Sequence, residues 1–198
     1  MERHGIRAPQ IVILPRRFYE RPTIDVARDL LGQILRHGPA AGLIVETEAY
    51  LGGNDLASHS AAGITNRTRV IFGPGGHAYV YFSYGMHECM NIVAERDGTP
   101  GCVLIRALEP TDGLDLMRSR RVKAKTDRDL ASGPGRLTQA LDITRRHSGA
   151  DLTHGDLVVQ SPRKKVRFDI EVTKRIGITK CADLPLRFFI AGNRFVSR

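Results

Sequence analysis

One stretch decides the fold: Gly42-Leu43-Ile44-Val45-Glu46-Thr47-Glu48-Ala49-Tyr50-Leu51-Gly52. Its apolar and β-branched residues, followed by the turn residues 52–54, predict a β-strand. Side chains alternate between the two faces of a strand, so Glu46, Glu48 and Tyr50 should share one face with Ile44. The opposite face should pack into the core.

Two carboxylates inside an apolar run have two explanations. In the first, Glu46 and Glu48 face solvent from an edge strand, where water hydrates them. In the second they lie in a cleft, where a buried carboxylate needs hydrogen bonds, a counter-charge or a proton. A carboxylate held there is suited to activating a water molecule. The stretch alone leaves both explanations open.

Length and composition predict a single domain, residues 1–198. The 198 residues are 41% hydrophobic and 26% charged, which is typical of a soluble globular protein. A domain of this size buries enough surface to fold without a disulfide or a metal. The basic N-terminus, about residues 1–13, is expected to be loosely ordered.

The charge balance favours a polyanionic partner. The chain has 30 Lys and Arg residues against 21 Asp and Glu, a net charge of +9. Nucleic acid is favoured over a membrane surface, because no basic amphipathic helix with a bulky apolar face is visible.

The cysteines and the N-terminus predict an intracellular, soluble protein. Cys89, Cys102 and Cys181 are odd in number and form no C-x-x-C pair, so we interpret them as reduced thiols. The N-terminus has no apolar signal stretch, and nowhere do 18 apolar residues follow one another. We expect a cytoplasmic location, nucleoid-associated if the source is bacterial, and no membrane contact.

A tyrosine-rich segment predicts a β-hairpin. Residues 78–86 alternate as a strand, Gly85 marks a turn, and residues 89–94 form the returning strand. Aromatic residues at the tip of a hairpin on a basic protein suit base stacking or wedging between bases. They are equally compatible with ordinary strand packing.

Arg106 lies in the apolar strand 102–108 and needs a carboxylate partner, because a guanidinium cannot lose its charge by deprotonation. Glu46 and Glu48 are the natural candidates. This pairing favours a functional site on the face that carries the two glutamates.

The remaining segments predict helices and one more strand. Residues 23–35 should form an amphipathic helix with Thr23 as its N-cap, and residues 111–121 should also be helical. Ser132 should cap a helix that begins at Pro134, whose N-terminus beside Arg136 suits a DNA phosphate. Residues 166–173 alternate as a strand.

Four spaced blocks resemble the alkyladenine (3-methyladenine) DNA glycosylase family. They are E-T-E-A-Y-L-G with His59, Y-V-Y-F-S-Y-G-M followed by C-M-N, V-L-I-R-A-L-E-P, and A-S-G-P-G-R-L. The matches occur in the family's order over roughly Leu14 to Ser197. Four blocks in order are far more specific than any one of them.

The resemblance implies a mixed α/β (α+β) fold: one compact domain with a curved antiparallel sheet, surrounded by helices, and a protruding hairpin that enters the DNA minor groove. The implied activity is removal of alkylated or deaminated purines from double-stranded DNA, in the class of 3-methyladenine, 7-methylguanine, hypoxanthine and ethenoadenine. The enzyme would be monofunctional, leave an abasic site, need no cofactor or metal, and act as a monomer.

The resemblance also implies roles for individual residues. Glu48 would activate the attacking water, and Arg106 would help to hold that water and the carboxylate. Glu46 would orient Arg106. The implied base pocket and DNA contacts comprise Tyr50 and His59 as pocket sides, Tyr81 as stacking edge, Asn91 as pocket floor, Tyr84 as intercalating wedge, and Met86, Arg67, Arg69 and Arg136 on the DNA backbone.

The physical chemistry is consistent with these roles. A purine inside a duplex is reached only after it flips out, and a side chain must fill the gap. A cage formed by Tyr50, His59 and Tyr81 would favour cationic alkylated purines through stacking and cation–π attraction. The family's pattern changes at Ala62, Thr68, Ile71, His87 and Glu88, which bears on substrate range and DNA contact.

Three other classes of protein compete with a DNA glycosylase. A carbohydrate hydrolase needs carboxylates that flank a sugar, whereas Glu46 and Glu48 lie side by side. A zinc deaminase needs H-x-E and P-C-x-x-C motifs, which the sequence lacks. A non-catalytic nucleic-acid-binding module with a tyrosine stacking platform remains the main alternative, because the charge supports it equally.

Overall fold

The computed structural model describes residues 12–83, 85–164 and 166–197. Within these ranges the elements follow one another as helix α1 (Arg16–Tyr19), helix α2 (Thr23–Asp29), strands β1 (Ile34–His37), β2 (Ala40–Leu51), β3 (Ala78–Ser83), β4 (His87–Val93) and β5 (Gly101–Asp112), helices α3 (Leu114–Arg120), α4 (Asp127–Ala131) and α5 (Pro134–Leu141), and strands β6 (Leu157–Gln160), β7 (Ile170–Thr173) and β8 (Arg187–Ile190). Short 3₁₀ helices cover His59–Ala62, Arg69–Phe72 and Arg145–His147.

The strands form one curled antiparallel sheet in a single compact α+β domain, which confirms the predicted fold class. The strand order is β3-β4-β5-β2-β1-β6, and β8 joins β2 to β7. Strand β2 is central. It pairs with β5 along one side, and on the other side with β1 in its first half and with β8 at Glu46 to Glu48.

The central position of β2 settles the location of the two glutamates. Both Glu46 and Glu48 are completely buried. The explanation that they face solvent from an edge strand is therefore wrong, because β5 and β8 cover the strand on both sides.

Two of the three register shifts between β2 and β5 lie at the site residues and set the direction of their side chains. The pairing skips Val45 on β2 and then Arg106 on β5. An extra residue in one strand bends it locally and redirects a side chain. The strict alternation predicted from Ile44 to Tyr50 is broken at Val45, so Ile44 and Val45 both join the hydrophobic core.

The helix predicted over residues 23–35 is shorter than expected. It ends at Asp29, and residues 34–37 are strand β1. Gly32 adopts a left-handed backbone (φ 78°) between them, with the ring of Phe168 packed where a Cβ would lie. Thr23 is not the N-cap: the Glu95 carboxylate accepts hydrogen bonds from both its N–H and its hydroxyl.

Other predicted boundaries changed in the same way. Thr111 and Asp112 belong to strand β5 and not to helix α3, and of the strand predicted over residues 166–173 only β7 forms. Helix α5 begins at Pro134 as predicted, but its N-cap is Gly133. The Ser132 hydroxyl instead donates to the Arg128 carbonyl.

The prediction for the N-terminus concerns residues that lie mostly outside the described ranges, which begin at Val12. Within them, Ile13 forms a β-bridge with Gln160. In the described part of the chain, no helix combines the length and apolar character needed to cross a lipid bilayer.

Candidate active site

A cavity of about 640 Å³ opens between the sheet and the segment 176–180. The structure brings six of the predicted site residues to it, from four different strands, a 3₁₀ helix and a turn. These lining residues are Tyr50, His59, Arg67, Tyr81, Asn91 and Arg106.

Glu48 lies directly behind the cavity wall. Its Oε2 accepts a hydrogen bond from the Tyr50 hydroxyl (2.9 Å), and its Oε1 accepts one from the backbone N–H of Ile176 (2.8 Å). The Arg106 Nη1 atom lies 3.2 Å from the same Oε1. All three partners line the cavity, so the carboxylate is held at its edge by two neutral donors and one cation.

Arg106 bridges the two buried glutamates, as the sequence predicted. Its Nε donates to Glu46 Oε1 at 2.9 Å. Burial disfavours the charged guanidinium, but the carboxylates of Glu48 and Glu46 outweigh this effect and raise the pKa of Arg106 above its ordinary value. The cation is therefore permanent, and its two contacts fix its orientation.

Tyr50 lines the cavity, donates to Glu48 and has a cation on its ring. Burial and the neighbouring Glu48 carboxylate raise the pKa of Tyr50 far above its ordinary value, so the phenol stays protonated as a donor. The guanidinium carbon of Arg175 lies 4.6 Å from its ring centroid. Arg175 is itself held by a buried, two-bond ion pair with Asp55 at 2.7 and 2.8 Å.

His59 and Tyr81 form one aromatic wall of the cavity, backed by Tyr79. The His59 and Tyr81 ring centroids are 4.6 Å apart in an edge contact, and Tyr79 stacks on Tyr81 at 5.5 Å. His59 Nδ1 is 2.9 Å from the Tyr79 hydroxyl. Burial, with a contribution from Arg67, lowers the pKa of His59, which keeps the imidazole neutral at pH 7.

Asn91 is almost completely buried beside this wall. Its Nδ2 donates to the Tyr79 carbonyl at 3.4 Å, and the Cys102 thiol donates to its Oδ1 at 3.8 Å. These contacts fix the orientation of the amide.

The residues predicted to contact DNA differ in where they lie relative to the cavity. Tyr84, the predicted wedge, lies outside the described residues. Met86 is 68% exposed next to it in the turn between β3 and β4. Arg67, Arg69 and Arg136 are all exposed. Of these three, Arg67 also lines the cavity.

No group of three or more His, Cys, Asp or Glu side chains in the described residues is arranged to hold a metal ion.

Comparison with known proteins identifies the family. A sequence model described as methylpurine-DNA glycosylase matches residues 17–194. The chain belongs to the methylpurine-DNA glycosylase family. It is therefore a monofunctional DNA glycosylase, a DNA repair hydrolase of N-glycosyl bonds. The alternative of a non-catalytic binding module is wrong.

Three relatives are similar in sequence to this glycosylase over nearly their whole length. A protein of Methanoculleus marisnigri is 54% identical over 93% of this chain and 98% of its own. One of Methanocella arvoryzae is 48% identical over 94% and 96%, and one of Carboxydothermus hydrogenoformans is 47% identical over 94% and 100%. All three are provisionally named 3-methyladenine DNA glycosylase.

Sequence reasoning missed several residues of this glycosylase site. Arg187 donates to Glu46 at 2.7 Å, and Ser197 donates to it from both its N–H and its hydroxyl. Tyr79 and the Asp55–Arg175 pair were also missed. Arg187 follows the rule that identified Arg106, because it is flanked by Leu186 and Phe188 to Ile190, and the same reasoning would have found it. Arg175 stands in a more polar segment, where its charge gives no sign of burial.

Proposed function

We propose that this glycosylase flips alkylated and deaminated purines out of double-stranded DNA and hydrolyses their N-glycosidic bond with a water molecule activated by Glu48. The substrate class is that of 3-methyladenine, 7-methylguanine, hypoxanthine and ethenoadenine. The observation that carries the proposal is the buried Glu48 carboxylate, held by Tyr50, Arg106 and the Ile176 N–H at the edge of an aromatic cavity. The names of the relatives mention 3-methyladenine, which supports that one member of the class.

Glu48 supplies the proton acceptor for the reaction. The water oxygen attacks C1′ of the sugar while the C1′–N9 bond breaks and its electron pair leaves with the base. The water gives its proton to the carboxylate, whose negative charge also stabilises the cationic sugar in the transition state. The contacts from Tyr50 and Arg106 hold the carboxylate in place.

The aromatic walls recognise the flipped base. Tyr50 forms one side of the pocket, and His59 with Tyr81 forms the other. The Asn91 amide at the floor disfavours the exocyclic amine of undamaged guanine. A purine that reaches this pocket is selected by stacking and by the fit of its edge.

The hairpin of β3 and β4 enters the minor groove, where Tyr84 fills the gap left by the flipped nucleotide. Met86, Arg69 and Arg136 contact the DNA backbone around it. Every residue in this proposal comes from one chain, so a monomer is sufficient for activity.

Release of the four bases in single turnovers tests the substrate class. Each duplex carries one damaged purine, enzyme is in excess, no metal or cofactor is added, and abasic sites are revealed by alkali. We expect release of at least two of the four bases, with the strand intact before alkali and no borohydride-trapped adduct. Release of none of them from duplexes that the enzyme binds would contradict the proposal.

A further inference from the structure

One cation lies directly on the aromatic wall of the cavity. The guanidinium carbon of Arg67 is 5.2 Å from the Tyr81 ring centroid, and its Nε donates to the Tyr79 hydroxyl at 3.2 Å. Its Nη2 lies 3.5 Å from His59 Nε2. Arg67 therefore contacts all three rings of that wall and does not only point outward to a DNA phosphate.

The charge of Arg67 is not compensated locally. Arg106 is paired with Glu46 and Glu48, and Arg175 with Asp55. Arg67 has no carboxylate within 4.0 Å among the residues that the structure describes, and the same holds for Lys180 on the cavity rim. Of these two cations only Arg67 touches the rings.

We propose that Arg67 is a specificity-determining residue that biases this pocket toward neutral damaged purines, such as hypoxanthine and ethenoadenine, and against cationic ones, such as 7-methylguanine. The inference rests on the proposed function. It reverses the expectation that the ring cage favours cations, because a guanidinium already lies against Tyr81 and would repel a second positive charge.

The same charge assists the departure of a neutral base. When C1′–N9 breaks, the electron pair stays on the base, so a neutral purine leaves as an anion that water then protonates. A cation beside the ring stabilises that developing negative charge. A cationic purine leaves as a neutral molecule, so the positive charge of Arg67 does not assist its departure. His59 does not add to the repulsion, because its lowered pKa keeps it neutral.

The test compares wild type with Arg67→Met, which keeps the length of the side chain and removes its charge. Single-turnover release is measured for 7-methylguanine, hypoxanthine and ethenoadenine in one duplex context, after subtraction of spontaneous loss. We expect the ratio of the 7-methylguanine rate to either neutral-base rate to rise about three- to tenfold, a modest factor because Arg67 is exposed and water screens its charge.

Two further variants make the test specific. Arg67→Lys keeps the charge and should keep the wild-type ratio. Arg69→Met removes the same charge two residues away, outside the cavity lining, and should lower DNA affinity without changing the ratio.

The possible results separate this inference from the proposed function. Wild-type release of all three bases with an equal fall for each in Arg67→Met would mark Arg67 as a DNA-backbone contact and overturn the inference alone. Absence of release by wild type would overturn the proposed function and the inference with it.

Discussion

Glu46 organises the buried charges behind the site. It accepts four hydrogen bonds, one each from Arg106 and Arg187 and two from Ser197. The side chains of Arg106 and Arg187 are 8% and 12% exposed, so water replaces this carboxylate poorly. Glu46 thereby connects the strand that carries Arg106 to the C-terminal segment.

We expect Glu46→Gln to lower the free energy of unfolding by about 3 kcal/mol, because it leaves two buried guanidinium groups with one negative charge fewer. Single-turnover base release should also fall, since Arg106 loses the partner of its Nε. Urea denaturation and release of hypoxanthine measure the two effects. Glu171→Gln, an exposed change on β7, is the matched control, and unchanged stability of Glu46→Gln would contradict the role of Glu46.

At this scale the sequence predicted the Arg106 partnership and missed those of Arg187 and Arg175. A charged residue inside a long apolar strand can be recognised from the sequence as one that needs an oppositely charged partner. Arg187 and Arg175 become buried only because strand β8 and the segment after β7 fold onto β2. The apolar residues around Arg187 are a local sign of that burial, whereas the sequence around Arg175 carries none.

The hairpin depends on helix α5 for its position. A Cβ at Gly135 would lie 2.7 Å from the Cβ of His87 at the start of β4, and 2.8 Å from its Cγ. The Thr138 hydroxyl donates to the Glu88 carbonyl at 2.9 Å. The returning strand of the hairpin therefore rests directly on the first turns of α5.

Gly135→Ala should displace the hairpin and lower the free energy of unfolding by about 1–3 kcal/mol, the usual cost of overpacking. Affinity for a damaged duplex should fall as well, because the tip residues move with β4. Thermal unfolding and fluorescence anisotropy report the two effects. Gly73→Ala is the control, since its Cβ would meet only the Val70 carbonyl at 3.4 Å; a Gly135 variant as stable as wild type would count against this packing.

Element boundaries were the least predictable feature of the sequence. The three- and four-residue spacing of apolar residues from Val26 to Leu35 fits one long helix as well as a short helix followed by strand β1. What separates the two is the left-handed turn at Gly32 and the approach of Phe168, which comes from far along the chain. The hairpin and the long strands β2 and β5 were predictable because their apolar and β-branched residues lie close together in the sequence and are bounded by turn residues.

In the whole molecule, the net positive charge and the group assigned to the reaction lie in different places. The net charge of +9 is spread over exposed arginines and lysines, which suits a polyanionic partner in general. We assign the reaction to Glu48, a fully buried residue whose carboxylate is held at the edge of the cavity. One substitution at Glu48 should therefore remove hydrolysis and leave DNA binding in place.

The overall architecture was predicted through the resemblance of four sequence blocks to a family, and the cavity could not be. Its walls come from residues 50, 59, 81, 91 and 106 together with the segment 176–180, which only the curled sheet brings together. The sequence identified many of the participants, but it assigned Arg67 to the DNA backbone and missed the position of Arg175 on the Tyr50 ring.

The most direct test of the account is single-turnover release of hypoxanthine by wild type and Glu48→Gln, with enzyme saturating and DNA affinity measured in parallel. The account predicts that the variant keeps its affinity and loses at least about a hundredfold in rate, the contribution of a positioned general base. A Glu48→Gln enzyme that binds the duplex and releases the base at the wild-type rate would contradict the assignment of the chemistry to Glu48.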